Sequence, residues 1–211
     1  MTVVTNVDLP AISDVTEAKR TQAVRVLSAA FQDDPVFDWW IPAAAARAAA
    51  LPTVFSAYID ALASHDATRV ASTSAGAAGV ALWARPGRPV VQPDDEEEMI
   101  ARCLEVVDEG ASERLQQLAE AFAAVHPHEP HWYLQFLATD PPLQSRGVGG
   151  TLLRDVLTTA DEAGEAAYTQ ATSLRNRTLY ERHGFVFTRE IPLPDGPSLY
   201  AMWRDPQSSW R

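Results

Sequence analysis

Between Gln144 and Thr151 the chain reads Gln144-Ser145-Arg146-Gly147-Val148-Gly149-Gly150-Thr151, a run of mostly small residues where a strand gives way to a helix. With few Cβ atoms in front of them, several backbone N–H groups can point one way, and such a nest binds anions. The helix that follows is expected from Thr151 to about Ala163, with Leu152, Leu153, Val156 and Leu157 at helical spacing and a stop near Gly164. Its free N-terminal donors and the positive end of its dipole fall on the glycine run, where a phosphate is stabilised. Upstream, His131 to Thr139 is apolar, aromatic or β-branched, a mostly buried strand ended by Pro141 and Pro142. Strand, turn and helix start stand in the order that grips a pyrophosphate.

Two nucleotide motifs do not match. A nucleoside triphosphate loop needs Gly-Lys-Ser/Thr, and the run contains no lysine; a dinucleotide fingerprint needs a third glycine where this chain has Leu152. What remains, Gln-x-x-Gly-x-Gly after a strand ending at proline, resembles the acetyl-CoA loop of the GNAT superfamily of N-acyltransferases. A second block supports the resemblance. Thr172-Ser173, Arg175-Asn176, Tyr180-Glu181-Arg182 and Gly184-Phe185 are similar to the C-terminal GNAT block. Thr139, where the family commonly has valine, and Ser145, where glycine is frequent, depart from its pattern.

The resemblance implies an α/β fold with a single mixed, mostly antiparallel sheet and helices on both faces. Its CoA strand and the next one splay apart, and the pantetheine arm enters the gap beside the backbone of Leu137, Ala138 and Thr139. It further implies that Gln144, Arg146, Gly147, Val148, Gly149, Gly150 and Thr151 hold the phosphates, that Asn176 holds the arm, and that Tyr180 sits beside the thioester sulfur as proton donor. The resemblance narrows toward the puromycin N-acetyltransferase subfamily. Phe31-Gln32-Asp33-Asp34-Pro35, Val80-Ala81-Leu82-Trp83, Glu129-Pro130 with Trp132-Tyr133-Leu134, and Pro194-Asp195-Gly196-Pro197 carry it. The implied activity is acetyl-CoA-dependent acetylation of a primary amine on a small molecule, an antibiotic or related metabolite among them. Acetylation of a protein or peptide N-terminus, and a noncatalytic CoA-binding regulator, are the competing expectations.

Acyl transfer from a thioester to an amine needs a neutral amine, correct placement, a stabilised carbonyl oxygen and a proton for the departing thiolate. Period-two alternation places His131, Tyr133, Gln135 and Leu137 on one face of the CoA strand, with Trp132, Leu134 and Phe136 on the other. The first face is the more polar, so Tyr133 and Gln135 are candidate acceptor contacts, and His131 or Glu129 is the candidate base. Phe31, Asp34, Trp39 and Trp40 form an aromatic and acidic cluster suited to a cationic or partly aromatic amine. The histidines from His126 to His131 follow no standard ligand spacing, so no metal site is expected.

The whole chain bounds these readings. At 211 residues it fits one domain, spanning 1–211, with a CoA-binding core over about 131–203 and acceptor-side helices over about 16–63 and 94–125. The formal net charge of −11 disfavours a nucleic-acid partner and favours a cationic amine. The single cysteine, Cys103, fits a buried structural thiol and a reducing compartment. The first residues lack a leader pattern and no apolar run is long enough to span a bilayer, so a cytoplasmic monomer or homodimer is expected.

Helices are expected over Thr16 to Phe31, broken by Asp33-Asp34-Pro35, and over Ala43 to Ala63, which Pro52 should interrupt or restart. Asp94 to Glu98 reads as the acidic first turn of another helix, and Ser112 to Val125 as an amphipathic one. Further strands are expected near residues 69–73, 78–83, 167–172, 185–191 and 198–203.

Overall fold

The computed structural model describes residues 10–107 and 109–207; the N-terminal stretch read for a leader lies mostly outside them. Among the described residues, seven strands form one open sheet in the order β1-β2-β3-β4-β5-β7-β6. They are β1 (Ala11–Asp14), β2 (Thr68–Thr73), β3 (Gly76–Ala84), β4 (His131–Thr139), β5 (Ala166–Ala171), β6 (Val186–Pro192) and β7 (Ser198–Arg204). Only β4 and β5 run parallel; every other neighbouring pair is antiparallel. A parallel pair needs a crossover, and α6 (Val148–Ala163) supplies it.

Helices cover both faces. On one lie α1 (Glu17–Phe31), α2 (Pro35–Trp40), α3 (Ala44–Ala63), α4 (Glu96–Leu104) and α5 (Glu109–Ala123), whose apolar residues share a core with Val80, Leu82, Tyr133 and Tyr168. On the other, α6 and α7 (Leu174–Glu181) pack Leu152, Leu153, Val156 and Tyr180 against Trp83, Trp132 and Leu134. The mixed α/β sandwich expected from the interleaved pattern is the fold observed.

Three local expectations change. Pro52 does not break α3, which runs unbroken through it. Pro52 and Ala48, the residue whose carbonyl loses its helical donor, are both exposed, so water can take the orphaned acceptor. Asp33-Asp34-Pro35 ends α1 but also begins α2: the Asp34 carboxylate accepts a bond from the Val36 amide at 2.9 Å, and Pro35 occupies the first turn. Strand β1 was not anticipated; it is a four-residue edge with little buried surface to leave a pattern. Cys103 is buried, as expected. Among the described residues no helix is long and apolar enough to cross a membrane.

Candidate active site

Strands β4 and β5 pair only from His131 with Ala166 to Leu134 with Thr169. Beyond that, β4 continues to Thr139 and β5 to Ala171 without pairing, so the sheet opens between them. On the other edge of β4 the register slips between Leu82, opposite Phe136, and Trp83, opposite Leu134. Gln135 is therefore the extra residue of a bulge, at the point where the strands part.

The bulge corrects the expected alternation. A one-residue insertion turns every later side chain to the opposite face. Phe136 and Ala138 join Tyr133 in the core under α1 and α3, whereas Leu137 joins Trp132 and Leu134 on the α6 side. Leu137 and Thr139 come within 3.7 and 3.6 Å of where a Cβ on Gly149 would stand. Phe136, not Leu137, continues the face carrying Tyr133.

Helix α6 begins at Val148, three residues before the expected start. Gly147 takes φ 86° as its N-cap and Ser145 takes φ 63°, both in the left-handed region. That geometry explains why glycine is frequent at the position of Ser145 in the resembled loop. The first bond of the helical pattern runs from the Thr151 amide to the Gly147 carbonyl at 3.0 Å. The amides of Gly147, Val148, Gly149 and Gly150 thus have no intrahelical acceptor and converge on the mouth of the split. Arg175 Nη2 donates to Ser145 Oγ at 3.2 Å, and Arg146 is exposed beside it, so the anion-binding turn has cationic flanks. These donors and the opened strands fit an extended thioester cosubstrate with a pyrophosphate.

Gly79 on β3 seats this turn, and sequence reading did not single it out. A Cβ there would stand 2.7 Å from Val148 Cγ1, 2.9 Å from the Ala138 carbonyl oxygen and 3.0 Å from Leu152 Cδ1. Gly79→Ala is expected to cost about 1–3 kcal/mol of stability by overpacking. It should also weaken acetyl-CoA binding, because the first turn of α6 is what must move. Thermal denaturation and calorimetric titration check the two effects.

A cavity of about 230 Å³ lies under the split, walled by α2, α3, α4, α5 and the sheet. Of the anticipated residues, Phe31, Trp40, Tyr133, Gln135, Leu137, Asn176 and Tyr180 line it. Tyr58, Phe136, Thr169, Gln170 and Thr172 line it as well and were missed. Trp39 does not: its Nε1 donates to the Pro194 carbonyl at 3.0 Å, pinning the β6–β7 turn. Asp34 stands behind the wall, 8% exposed. Its Oδ2 accepts from Thr172 Oγ1 at 2.6 Å, and Thr172 Oγ1 in turn accepts from Asn176 Nδ2 at 3.1 Å. Burial pushes the Asp34 carboxyl above its ordinary range, and the bonds from Thr172 and the Val36 and Phe37 amides offset part of that rise.

Neither His131 nor Glu129 lines the cavity. Glu129 is exposed. His131 is 7% exposed, and its Nδ1 meets the Glu129 carbonyl at 2.7 Å. Its ring packs 5.0 Å from His126, 5.4 Å from Tyr168 and 5.6 Å from Trp203. Burial lowers the His131 imidazole, and it pulls His126 down to about 4, with His131 and His128 adding to the effect. The pair forms a neutral aromatic layer, away from the split. Among the described residues, no group of three or more His, Cys, Asp or Glu is placed to hold a metal ion.

Tyr180, 6% exposed, reaches the cavity from α7 with the Thr169 hydroxyl beside its own. Burial raises its phenol well above the ordinary value, and the nearby Asp34 charge adds to the rise. A protonated phenol, a carboxyl group joined to a cavity hydroxyl, and a helix start with open amides therefore meet at one gap in the sheet.

A family model of the GNAT acetyltransferase family matches residues 79–185, about half the chain. The "histone acetyltransferase HPA2 and related acetyltransferase" structure from Corynebacterium glutamicum is 32% identical, superposes with a TM-score of 0.71, and is matched over 96% of this chain and 99% of its own. Arylalkylamine N-acetyltransferase 2 from Aedes aegypti shares the fold at 15% identity, with a TM-score of 0.64 over 93% of this chain and 99% of that one. The polyamine N-acetyltransferase of Drosophila melanogaster does so at 16% identity, with a TM-score of 0.61 over 92% and 99%. The matched segment contains most of β3 and the whole split, from Gly79 past the end of α7, and on that ground the chain belongs to the GNAT family of acetyltransferases.

Proposed function

We propose that this enzyme transfers the acetyl group of acetyl-CoA to the primary amine of a small molecule with an apolar, ring-bearing body. The observation that carries the reading is the cavity: apolar and aromatic walls lead to the Asp34, Thr172 and Tyr180 end of the split. Phe31, Phe37, Phe55, Tyr58 and Phe136 sit in mutual ring contact between 4.8 and 6.4 Å, which suits a hydrophobic or aromatic acceptor. Two fold relatives act on an arylalkylamine and on a polyamine, which supports a small amine.

Bound in the split, acetyl-CoA supplies an activated acyl group and a thiol leaving group. The amides of Gly147 to Gly150, with Arg146 and Arg175, hold its phosphates, and the edge of β4 from Leu137 to Thr139 that β5 leaves free orders the arm. Thr172 takes a proton from the incoming ammonium while passing its own to Asp34 Oδ2, leaving a neutral amine. Tyr180 gives its proton to the departing sulfur, and the nitrogen's surplus proton restores the phenol. His131 and Glu129 have no part in this scheme.

Free-thiol release from acetyl-CoA, measured across arylalkylamines, polyamines, agmatine, puromycin, aminoglycosides and short peptides, tests the proposal. Turnover greatest with apolar-bodied primary amines is the expected result. Turnover confined to peptides, or none despite measured CoA binding, overturns it. Puromycin belongs in the panel because the sequence motifs that resemble that subfamily's make an antibiotic acceptor the sharpest alternative small molecule.

A further inference from the structure

Several polar side chains around the acceptor cavity are committed to partners within the protein. Tyr133 Oη donates to Gln170 Oε1 at 2.7 Å, and Gln170 Nε2 donates to Tyr168 Oη at 3.3 Å. Thr169 Oγ1 donates to the Leu134 carbonyl at 3.0 Å, and Trp40 Nε1 donates to the Ala111 carbonyl at 3.0 Å. Thr172 and Asn176 are bonded to Asp34 and to each other as described. Tyr58 on α3 is not, nor is Gln135 at the split: among the described residues the Tyr58 hydroxyl has no hydrogen-bond partner.

The ring of Tyr58 is fixed edge-on against Phe136, 4.8 Å between centroids, and it shares its stretch of wall with Met99 and Cys103. Burial raises its phenol, with the Cys103 thiol adding, so at working pH it is a neutral group able to donate or accept. Helix α3 contributes a different wall from Thr172, Asn176 and Tyr180, which come from the end of β5 and from α7. A hydroxyl that lines a cavity can bond only to what fills it. A wholly apolar amine strands the hydroxyl, whereas an acceptor with an oxygen at that end gives it a partner. Such sites discriminate strongly, because the cost falls on the ligand that lacks the group.

We propose that Tyr58 reads a hydrogen-bonding oxygen at the end of the acceptor remote from its amine. Preferred acceptors would then be primary amines with a ring-bearing apolar body and one distal hydroxyl or carbonyl oxygen. The inference rests on the acetyltransfer reading above and sharpens its substrate class.

The test compares matched amines that differ by one oxygen, at two chain lengths: tyramine against 2-phenylethylamine, and 4-(4-hydroxyphenyl)butylamine against 4-phenylbutylamine. The ratio of kcat/KM within each pair is read, together with dissociation constants of the same amines by calorimetry. In the unaltered enzyme the oxygenated member of at least one pair is favoured by about tenfold or more, and in Tyr58→Phe that ratio collapses toward one. Equal use of both members at both lengths overturns the role of Tyr58, as does a preference that survives in Tyr58→Phe. Failure of every amine to bind or react counts instead against the acetyltransfer reading itself, so the two failures are distinguishable.

Discussion

Tyr180→Phe is expected to lower kcat by about 100-fold or more, with the dissociation constant of acetyl-CoA unchanged within a factor of two or so. The phenol is buried on α7, faces the cavity, and has the Thr169 hydroxyl next to it. Thr169 Oγ1 donates to the Leu134 carbonyl, so removing the Tyr180 hydroxyl leaves that bond standing and the fold little disturbed. A change of about 1 kcal/mol or less in stability is expected, which separates lost chemistry from lost structure. The pH profile carries the sign. Burial and the Asp34 charge both raise the phenol, so its acid form persists above the pH at which an ordinary tyrosine ionises. The alkaline fall in kcat should therefore lie above about pH 10. A kcat that declines from pH 8, or that survives the phenylalanine substitution, would remove Tyr180 as the proton donor. Rapid-quench turnover at saturating acetyl-CoA is the measurement.

The parts of this fold that sequence made legible are those whose cause is local. Pro141 and Pro142 stop β4, the small residues from Gly147 to Gly150 permit the tight turn into α6, and the helical spacing of Leu152, Leu153, Val156 and Leu157 is set by which face of α6 is buried. What stayed hidden depended on partners distant in the chain. The bulge at Gln135 exists only in the register of β4 against β3, so strict alternation placed Leu137 where Phe136 belongs. His131 shares a face with Tyr133 but lies four residues before the split, roughly 13 Å away at the rise of a strand. That distance keeps it off the cavity wall, and its ring instead joins His126, Tyr168 and Trp203. Asp34 was legible as part of the break after α1 and as an acidic neighbour of the aromatic cluster. Its link to Thr172 joins residues 138 positions apart and required the fold. Gln170 and Tyr58 have no motif around them; only the shape of the cavity marks them.

Thr172→Val separates the proposed proton path from a merely structural role. The substitution preserves the shape of the side chain and removes the hydroxyl between the cavity and Asp34 Oδ2. At neutral pH, where a primary amine arrives as its ammonium, kcat/KM for the acceptor is expected to fall about 10- to 100-fold. The loss should shrink as pH approaches the amine's own pKa, because more of the substrate then enters already neutral and needs no base. A packing defect predicts no such recovery. Asn176 Nδ2 also loses its acceptor in this variant, so acetyl-CoA affinity must be followed separately; a drop confined to that affinity would assign Thr172 to holding Asn176 and not to proton transfer. Thr172→Ser keeps the hydroxyl and should restore most of the rate at neutral pH. Asp34→Asn is the less informative variant, because the same carboxylate caps α2 through the Val36 amide and its loss acts on the fold as well. The raised Asp34 carboxyl gives the scheme its acid limit: below its pKa the group is already protonated, Thr172 has nowhere to pass its proton, and turnover falls. That acid fall should be present in the unaltered enzyme and flattened in Thr172→Val, and a limb unchanged by the substitution would leave Asp34 with a capping role alone.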